Sequence, residues 1–209
     1  MQVRTRHTPA FGVARLLLAP GEAVQAEASA MLATSYGVHI EPRSRGGRGR
    51  SKPAVFTAGT EGGWVDITPA FPGDVHTIDL DGTQGWCVSR GSWLAVTATL
   101  RADAQWPGFH ALFGAEHGFL EHATGSGTLV LACCGALDTI TLSPGEFISV
   151  DPAHLLGYSD DTQARLRAIS QSGPQSVRTG EGLILDFAGP GTVLTQTRTP
   201  RAMAALLGH

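Results

Sequence analysis

The sequence predicts an all-β fold, and three observations predict it. Short apolar runs are punctuated by 27 glycines and 12 prolines in 209 residues, with no strict period, the pattern of turns between strands. Runs of the strong helix formers Glu, Lys and Gln are nearly absent. Leu94, Val96, Ala98 and Leu100 alternate with Trp93, Ala95, Thr97 and Thr99, the period of two expected of a half-buried strand.

Self-similarity organises the chain. Pro20-Gly21-Glu22, Pro72-Gly73-Asp74 and Pro144-Gly145-Glu146 each stand between strand-like runs and are followed by alternating residues. Proline sets φ at the first turn centre and glycine supplies a positive φ at the second, so all three read as structural turns of type II. A second strand-like piece follows each triplet: Ala30-Met31-Leu32-Ala33, Ser92-Trp93-Leu94-Ala95 and Ala153-His154-Leu155-Leu156. Gly127-Thr128-Leu129-Val130-Leu131 has a near copy in Gly191-Thr192-Val193-Leu194-Thr195. The expectation is one domain over residues 1–209, made of three related units at about 11–58, 59–123 and 124–199. The last strand is expected to pair near the first unit and close a pseudo-threefold body.

Lesser elements follow. Asp79-Leu80-Asp81-Gly82 ends a run with a hairpin signal, and Gly182 to Phe187 is a strand stopped by Gly189-Pro190-Gly191. Trp106 to Phe113 has room for one or two helical turns. A short C-terminal helix is expected over Pro200 to Leu207, with Thr199 as its cap and Gly208 beyond its end.

Composition bounds the function. A net charge of −3 gives no global field to gather nucleic acid or anionic membrane. Three cysteines, an odd number, do not make a secreted disulfide framework. The apolar stretch Val13 to Ala19 is broken by Arg15 and closed by Pro20. It is too short to span a bilayer and lacks the flanks of a signal peptide, so a cytoplasmic location is expected.

Candidate chemistry is sparse. His110, His117 and His122 lie close together with Glu116 and Glu121 among them, residue types that suit Zn or Fe. No two of these histidines are spaced i,i+4 or i,i+2, and nowhere do two histidines stand one residue apart as in a metal-binding cupin. No metal or other cofactor is expected. Cys133 and Cys134, adjacent and so on opposite faces of a strand, read as packing residues, as does Cys87 beside Trp86. Asp151, Asp160 and Asp161 read as solvated turn residues. Gly125-Ser126-Gly127 lacks the spacing of a nucleophile elbow, and no phosphate-binding glycine motif is present.

Arg43, Arg45, Arg48, Arg50 and Lys52 form a basic Arg-Gly stretch with no acidic and no aromatic residue. It is the segment to consider for nucleic-acid contact, although it offers nothing for bases to stack on. Trp64, Trp86, Trp93 and Trp106 would line any apolar cleft between units.

The run Leu18-Ala19-Pro20-Gly21-Glu22-Ala23-Val24-Gln25-Ala26-Glu27, followed by Ala30-Met31-Leu32, resembles the opening of the mitochondrial-biogenesis ("altered inheritance of mitochondria") family. So do Pro72-Gly73-Asp74, Arg90-Gly91-Ser92-Trp93-Leu94-Ala95, Leu142-Ser143-Pro144-Gly145-Glu146 and Gln196-Thr197-Arg198. The resemblance runs from about Phe11 to Leu207. It implies a mainly bacterial and archaeal family with mitochondrial relatives linked to inner-membrane organisation, and no defined activity. It also implies a fold like that of the tryptophan RNA-binding attenuation protein, a double-stranded β-helix or β-sandwich unit repeated three times. Relatives carry a longer Gly-rich insertion where this chain has the stretch 43–52. The resemblance brings no catalytic residues. The expected function is thus a non-enzymatic, oligomer-forming scaffold; a small-molecule or nucleic-acid binding module is the alternative, and a metal-dependent cupin-like enzyme the least favoured.

Overall fold

The computed structural model describes residues 1–27, 29–42, 53–103, 119–169 and 182–206. They form nineteen strands, a one-turn 3₁₀ segment at Pro152–His154 and one helix, α1, at Pro200–Leu206. After β1 (Gln2–Arg6) the strands fall into three groups of six. The first comprises β2 (Val13–Leu18), β3 (Ala23–Ala26), β4 (Met31–Thr34), β5 (His39–Pro42), β6 (Ala54–Thr57) and β7 (Gly63–Ile67). The second comprises β8 (Val75–Asp81), β9 (Trp86–Ser89), β10 (Trp93–Thr97), β11 (Arg101–Asp103), β12 (Leu120–Thr124) and β13 (Ser126–Ala132). The third comprises β14 (Leu137–Leu142), β15 (Phe147–Val150), β16 (Leu155–Ser159), β17 (Gln163–Ala168), β18 (Leu183–Ala188) and β19 (Gly191–Gln196).

Pairing is the same in each group. The sixth strand lies between the first and third, and the fifth between the second and fourth, all antiparallel. Every third strand breaks register once, at Met31, Trp93 and Leu155, a constant step of 62 residues. A hydroxyl just past each break takes an amide near the start of the sixth strand: Ser35 from Trp64, Thr97 from Thr128 and Ser159 from Thr192, at 2.9, 3.1 and 3.0 Å.

Groups join through their second and third strands. β3 pairs with β10 and β9 with β16, so each six-stranded sheet is half one group and half the next. The chain's ends are left as half-sheets, β1-β2-β7-β4 and β15-β18-β17. Three cores follow in chain order: one around Leu16, Phe56, Ile67 and Leu94, one around Val88, Leu129, Leu131 and Leu156, and one around Leu155, Tyr158, Leu185 and Phe187. The apolar face of each half-sheet is buried against its neighbour, which is the main stabilising term.

Two of the three Pro-Gly-acid triplets are the same turn. In both, glycine has a positive φ (71° at Gly21, 85° at Gly145), and the glutamate reaches back to the amide that opens the turn, Glu22 to Ala19 at 2.8 Å and Glu146 to Ser143 at 2.6 Å. Pro72-Gly73-Asp74 is different. It lies in the junction before β8, and the turn from the first to the second strand of the second group is made at Asp81-Gly82 instead, with Asp81 accepting from Thr83 N–H. This turn is not the expected hairpin, since β8 pairs with β13 and β9 with β12 and β16. Gly73 is glycine for closeness: it bridges to Gly135, and a Cβ on it would lie 1.8 Å from Cys133 O. Group boundaries therefore fall later than the triplets suggest, at 13–67, 75–132 and 137–196.

The last strand also departs from expectation. β19 pairs with β14 and β16 of its own group, and β1 with β2, so among the described residues no strand pairing closes the third group onto the first. Helix α1 matches its signal, with Thr199 Oγ1 accepting from Ala202 N at 3.1 Å. Trp106 to Phe113 lies outside the described residues. Among the described residues no helix is long and apolar enough to cross a membrane.

Candidate functional site

The second seam, where β9 meets β16, carries a row of reactive side chains. His122 on β12 is opposite Cys87 on β9, and Cys87 is opposite Tyr158 on β16. Directly paired residues share a face of the sheet, and so does a residue two further along a strand. Asp160, two beyond Tyr158, therefore joins the row. Ligand atoms of Cys87, His122 and Asp160 all lie within 4.8 Å of one another. The four residues line one face of an open cleft of about 460 Å³, with Thr162 and Gln163 beside them.

Each member is held. His122 Nε2–H donates to both oxygens of Asp160 at 2.9 Å. Gly85 N–H donates to Asp160 Oδ2 at 2.9 Å, and Asp160 N–H donates to Gly85 O. Gly85 is what lets the pair close: a Cβ there would stand 2.7 Å from Ala123 O, Asp160 Oδ2 and His122 Nε2 alike. Cys87 is 1% exposed and stands directly opposite buried Tyr158 in the strand register. Tyr158 itself stacks at a tilt on Phe187, 5.1 Å between ring centres.

Burial pushes the Cys87 thiol up to about 11, and the charge of Asp160 adds to that. Cys87, His122 and Asp160 stand together as candidate ligands. As a donor set they are one soft, one borderline and one hard ligand, a combination suited to a divalent transition metal.

The remaining sequence candidates are dispersed. His110, His117, Trp106 and the basic residues Arg43, Arg45, Arg48, Arg50 and Lys52 lie outside the described residues. In chain order the Arg-Gly and His-bearing stretches join β5 to β6 and β11 to β12, the same connection of two groups. Cys133 and Cys134 are buried, and burial pushes the Cys133 thiol up to about 12. Glu121 is buried with its carboxylate 3.7 Å from Arg90. Asp151 caps the 3₁₀ segment, and Asp161 accepts from Gln84. Trp86 and Trp93 pack against the second core, and Trp64 lies under the Arg15 guanidinium at 3.9 Å. Along the chain His122 groups with His110 and His117. Its partners come from strands paired across the sheet, and the available signal was Gly85 ahead of a Trp-Cys strand.

A second place of interest, among the described residues, is a pair of sheet edges. β4 and β15 end their sheets, whereas the corresponding strands β10, β16, β3 and β9 are all paired on both sides. Large apolar side chains stand on both edges: Met31 is 40% exposed, Leu32 56% and Phe147 75%.

Comparison with known proteins places the chain. It is 30% identical over 148 residues to an uncharacterised protein of Streptococcus pyogenes serotype M6, covering 69% of this chain and 58% of that one. The chain thus spans little more than half the length of the curated relative it matches. A Streptococcus pyogenes protein solved by X-ray crystallography has the same fold, with a TM-score of 0.75 at 21% identity over 99% of this chain and 98% of the other. Residues 3–198 match the family described as mitochondrial biogenesis AIM24, and the chain belongs to that family.

Proposed function

We propose that the protein is a non-enzymatic, self-associating scaffold whose copies join β15 of one to β4 of the next. The observation that carries this reading is the pair of terminal half-sheets. Twice within the chain a second strand and a third strand of successive groups complete a six-stranded sheet. β15 is a second strand and β4 a third strand, each lacking that partner. A second copy supplies it, hides two strand edges that would otherwise template aggregation, and covers Met31, Leu32 and Phe147. The contact is head-to-tail, so it closes a ring or extends a filament according to the rotation per copy.

This reading takes the three groups as repeats of one unit, in the manner of the tryptophan RNA-binding attenuation protein, and places the assembly in the cytoplasm. It needs no catalytic group. The inner seams also set the register of the outer one: Ala95 opposite Ala26, Val96 opposite Gln25 and Thr97 opposite Val24 in the first. The same offset places Thr34 of one copy opposite Ser149 of the next.

Native mass spectrometry of the full chain at micromolar concentration tests it. Discrete oligomers are expected, converted to monomer by Leu32→Glu with Phe147→Glu, two surface changes that leave the cores untouched. A wild-type chain that stays monomeric overturns the proposal.

A further inference from the structure

We propose that Cys87 Sγ, His122 Nε2 and an oxygen of Asp160 bind one Zn²⁺ ion, which staples the seam between the second and third groups. Three different donors already converge within 4.8 Å on one face of the sheet, from three strands or their ends. The geometry at Asp160 points the same way. Its carboxylate shares one proton with His122 Nε2, at 2.9 Å to each oxygen, and a metal ion takes the place of that proton. Gly85 N–H stays on Oδ2 as the outer hydrogen bond that orients a ligating carboxylate.

The backbone has been emptied of side chain at this point. The first seam, at the corresponding positions, holds Gln25, Val55, Val96 and Ala98, and Ala23 where the second has Gly85. Identical pairing there supports apolar and amide side chains, so the fold itself does not require Cys, His and Asp in these places. Their convergence, with a glycine that admits them, is a feature of this seam alone.

Donor identity selects the ion. Thiolate with imidazole and one carboxylate is a borderline-soft set, which favours Zn²⁺ over Mg²⁺ or Ca²⁺. Binding is balanced by the loss of one proton: the Cys87 thiol releases its proton to solvent as the S–Zn bond forms, and the His122 ring proton moves from Nε2 to Nδ1. Three protein donors leave a fourth position facing the cleft, beside Thr162 and Gln163.

Titration of the full chain, purified with chelator and then dialysed free of it, with Zn²⁺ alone and Co²⁺ alone tests this. One ion per chain is expected by native mass spectrometry, and Co²⁺ should show a thiolate-to-metal charge-transfer band. Cys87→Ser should abolish that band, and Cys87→Ser, His122→Gln and Asp160→Asn should each weaken Zn²⁺ binding at least about tenfold. Asp161→Asn, at the neighbouring surface carboxylate, should leave affinity unchanged. Thermal melts of the metal-free variants establish folding; if Cys87→Ser fails to fold, the half-exposed Asp160→Asn variant decides. Absence of stoichiometric binding, a Co²⁺ complex without the sulfur band, or wild-type affinity in the Asp160→Asn protein overturns the site. None of these outcomes depends on self-association, which the edge variants read separately.

Discussion

The two inner seams have one backbone and two chemistries. At the first, β3 and β10 bring Gln25 and Val96 face to face, beside Val55. At the second, β9 and β16 bring Cys87 and Tyr158 face to face, beside His122, with Asp160 following. Hydrogen-bond pattern and register break are the same, so sheet architecture explains both seams equally and explains the second set of side chains not at all. Ordinary packing suffices to join two groups here. What the second seam adds is a cluster of ligating atoms around a glycine that only close approach requires.

The widest separation between the two regions should come from their polar anchors. In the first group's end sheet, Asp66 is buried on the face opposite to core residues Val65 and Ile67 and accepts from Arg15 at 2.7 and 2.8 Å and from Arg6 at 2.7 Å. Its carboxyl is held down at about 2, chiefly by the Arg15 hydrogen bonds and against burial, with Arg6 assisting. The folded value lies below the ordinary one, so its stabilisation is complete above about pH 4 and is lost as pH falls through about 2. Asp66→Asn should cost about 2–3 kcal/mol at neutral pH, and its disadvantage against wild type should shrink on acidification. Urea melts across that range check both.

Exchanging the seams' backbone positions sharpens the contrast. Gly85→Ala should destabilise by about 1–3 kcal/mol, because the new methyl meets a carbonyl, a carboxylate and an imidazole nitrogen at once. Ala23→Gly at the corresponding place should cost only about 0.5–1 kcal/mol. Equal effects in chemical denaturation would show that the second seam is no tighter than the first.

Smaller differences follow. Ser159→Ala and Thr97→Val should match one another within about 0.5 kcal/mol, since each strips the same amide of the sixth strand. At the outer seam, Thr34→Cys with Ser149→Cys should give intermolecular disulfides on mild oxidation, and a pair displaced by one residue should give far fewer.

Much of the fold was legible because it rests on local chemistry. Pro20-Gly21-Glu22 and Pro144-Gly145-Glu146 specify a turn by themselves, and Thr199 caps its helix through its own hydroxyl. The likeness of Gly127 to Leu131 and Gly191 to Thr195 is real kinship: both are sixth strands. Pro72 misled because it was matched by composition. It stands twenty residues before Ser92, whereas Pro20 stands ten before Ala30, and that doubled spacing was the sign of a different role. The row Cys87, His122, Tyr158 and Asp160 was not legible, since its members are scattered over seventy-odd residues of chain. Only strand pairing, a property of the whole sheet, sets them side by side.

The sharing of each inner sheet between two groups has a consequence for cooperativity. Energy in such a stack is a nearest-neighbour sum, as along a one-dimensional lattice, with interface terms at β3·β10 and β9·β16. A chain cut after the second group would leave β9 without its neighbour, and one cut before it would strip β10 of another, so no group is a self-sufficient folding unit. The group and the sheet are out of phase: each six-stranded sheet takes three strands from one group and three from the next, so any cut between groups breaks a sheet in two.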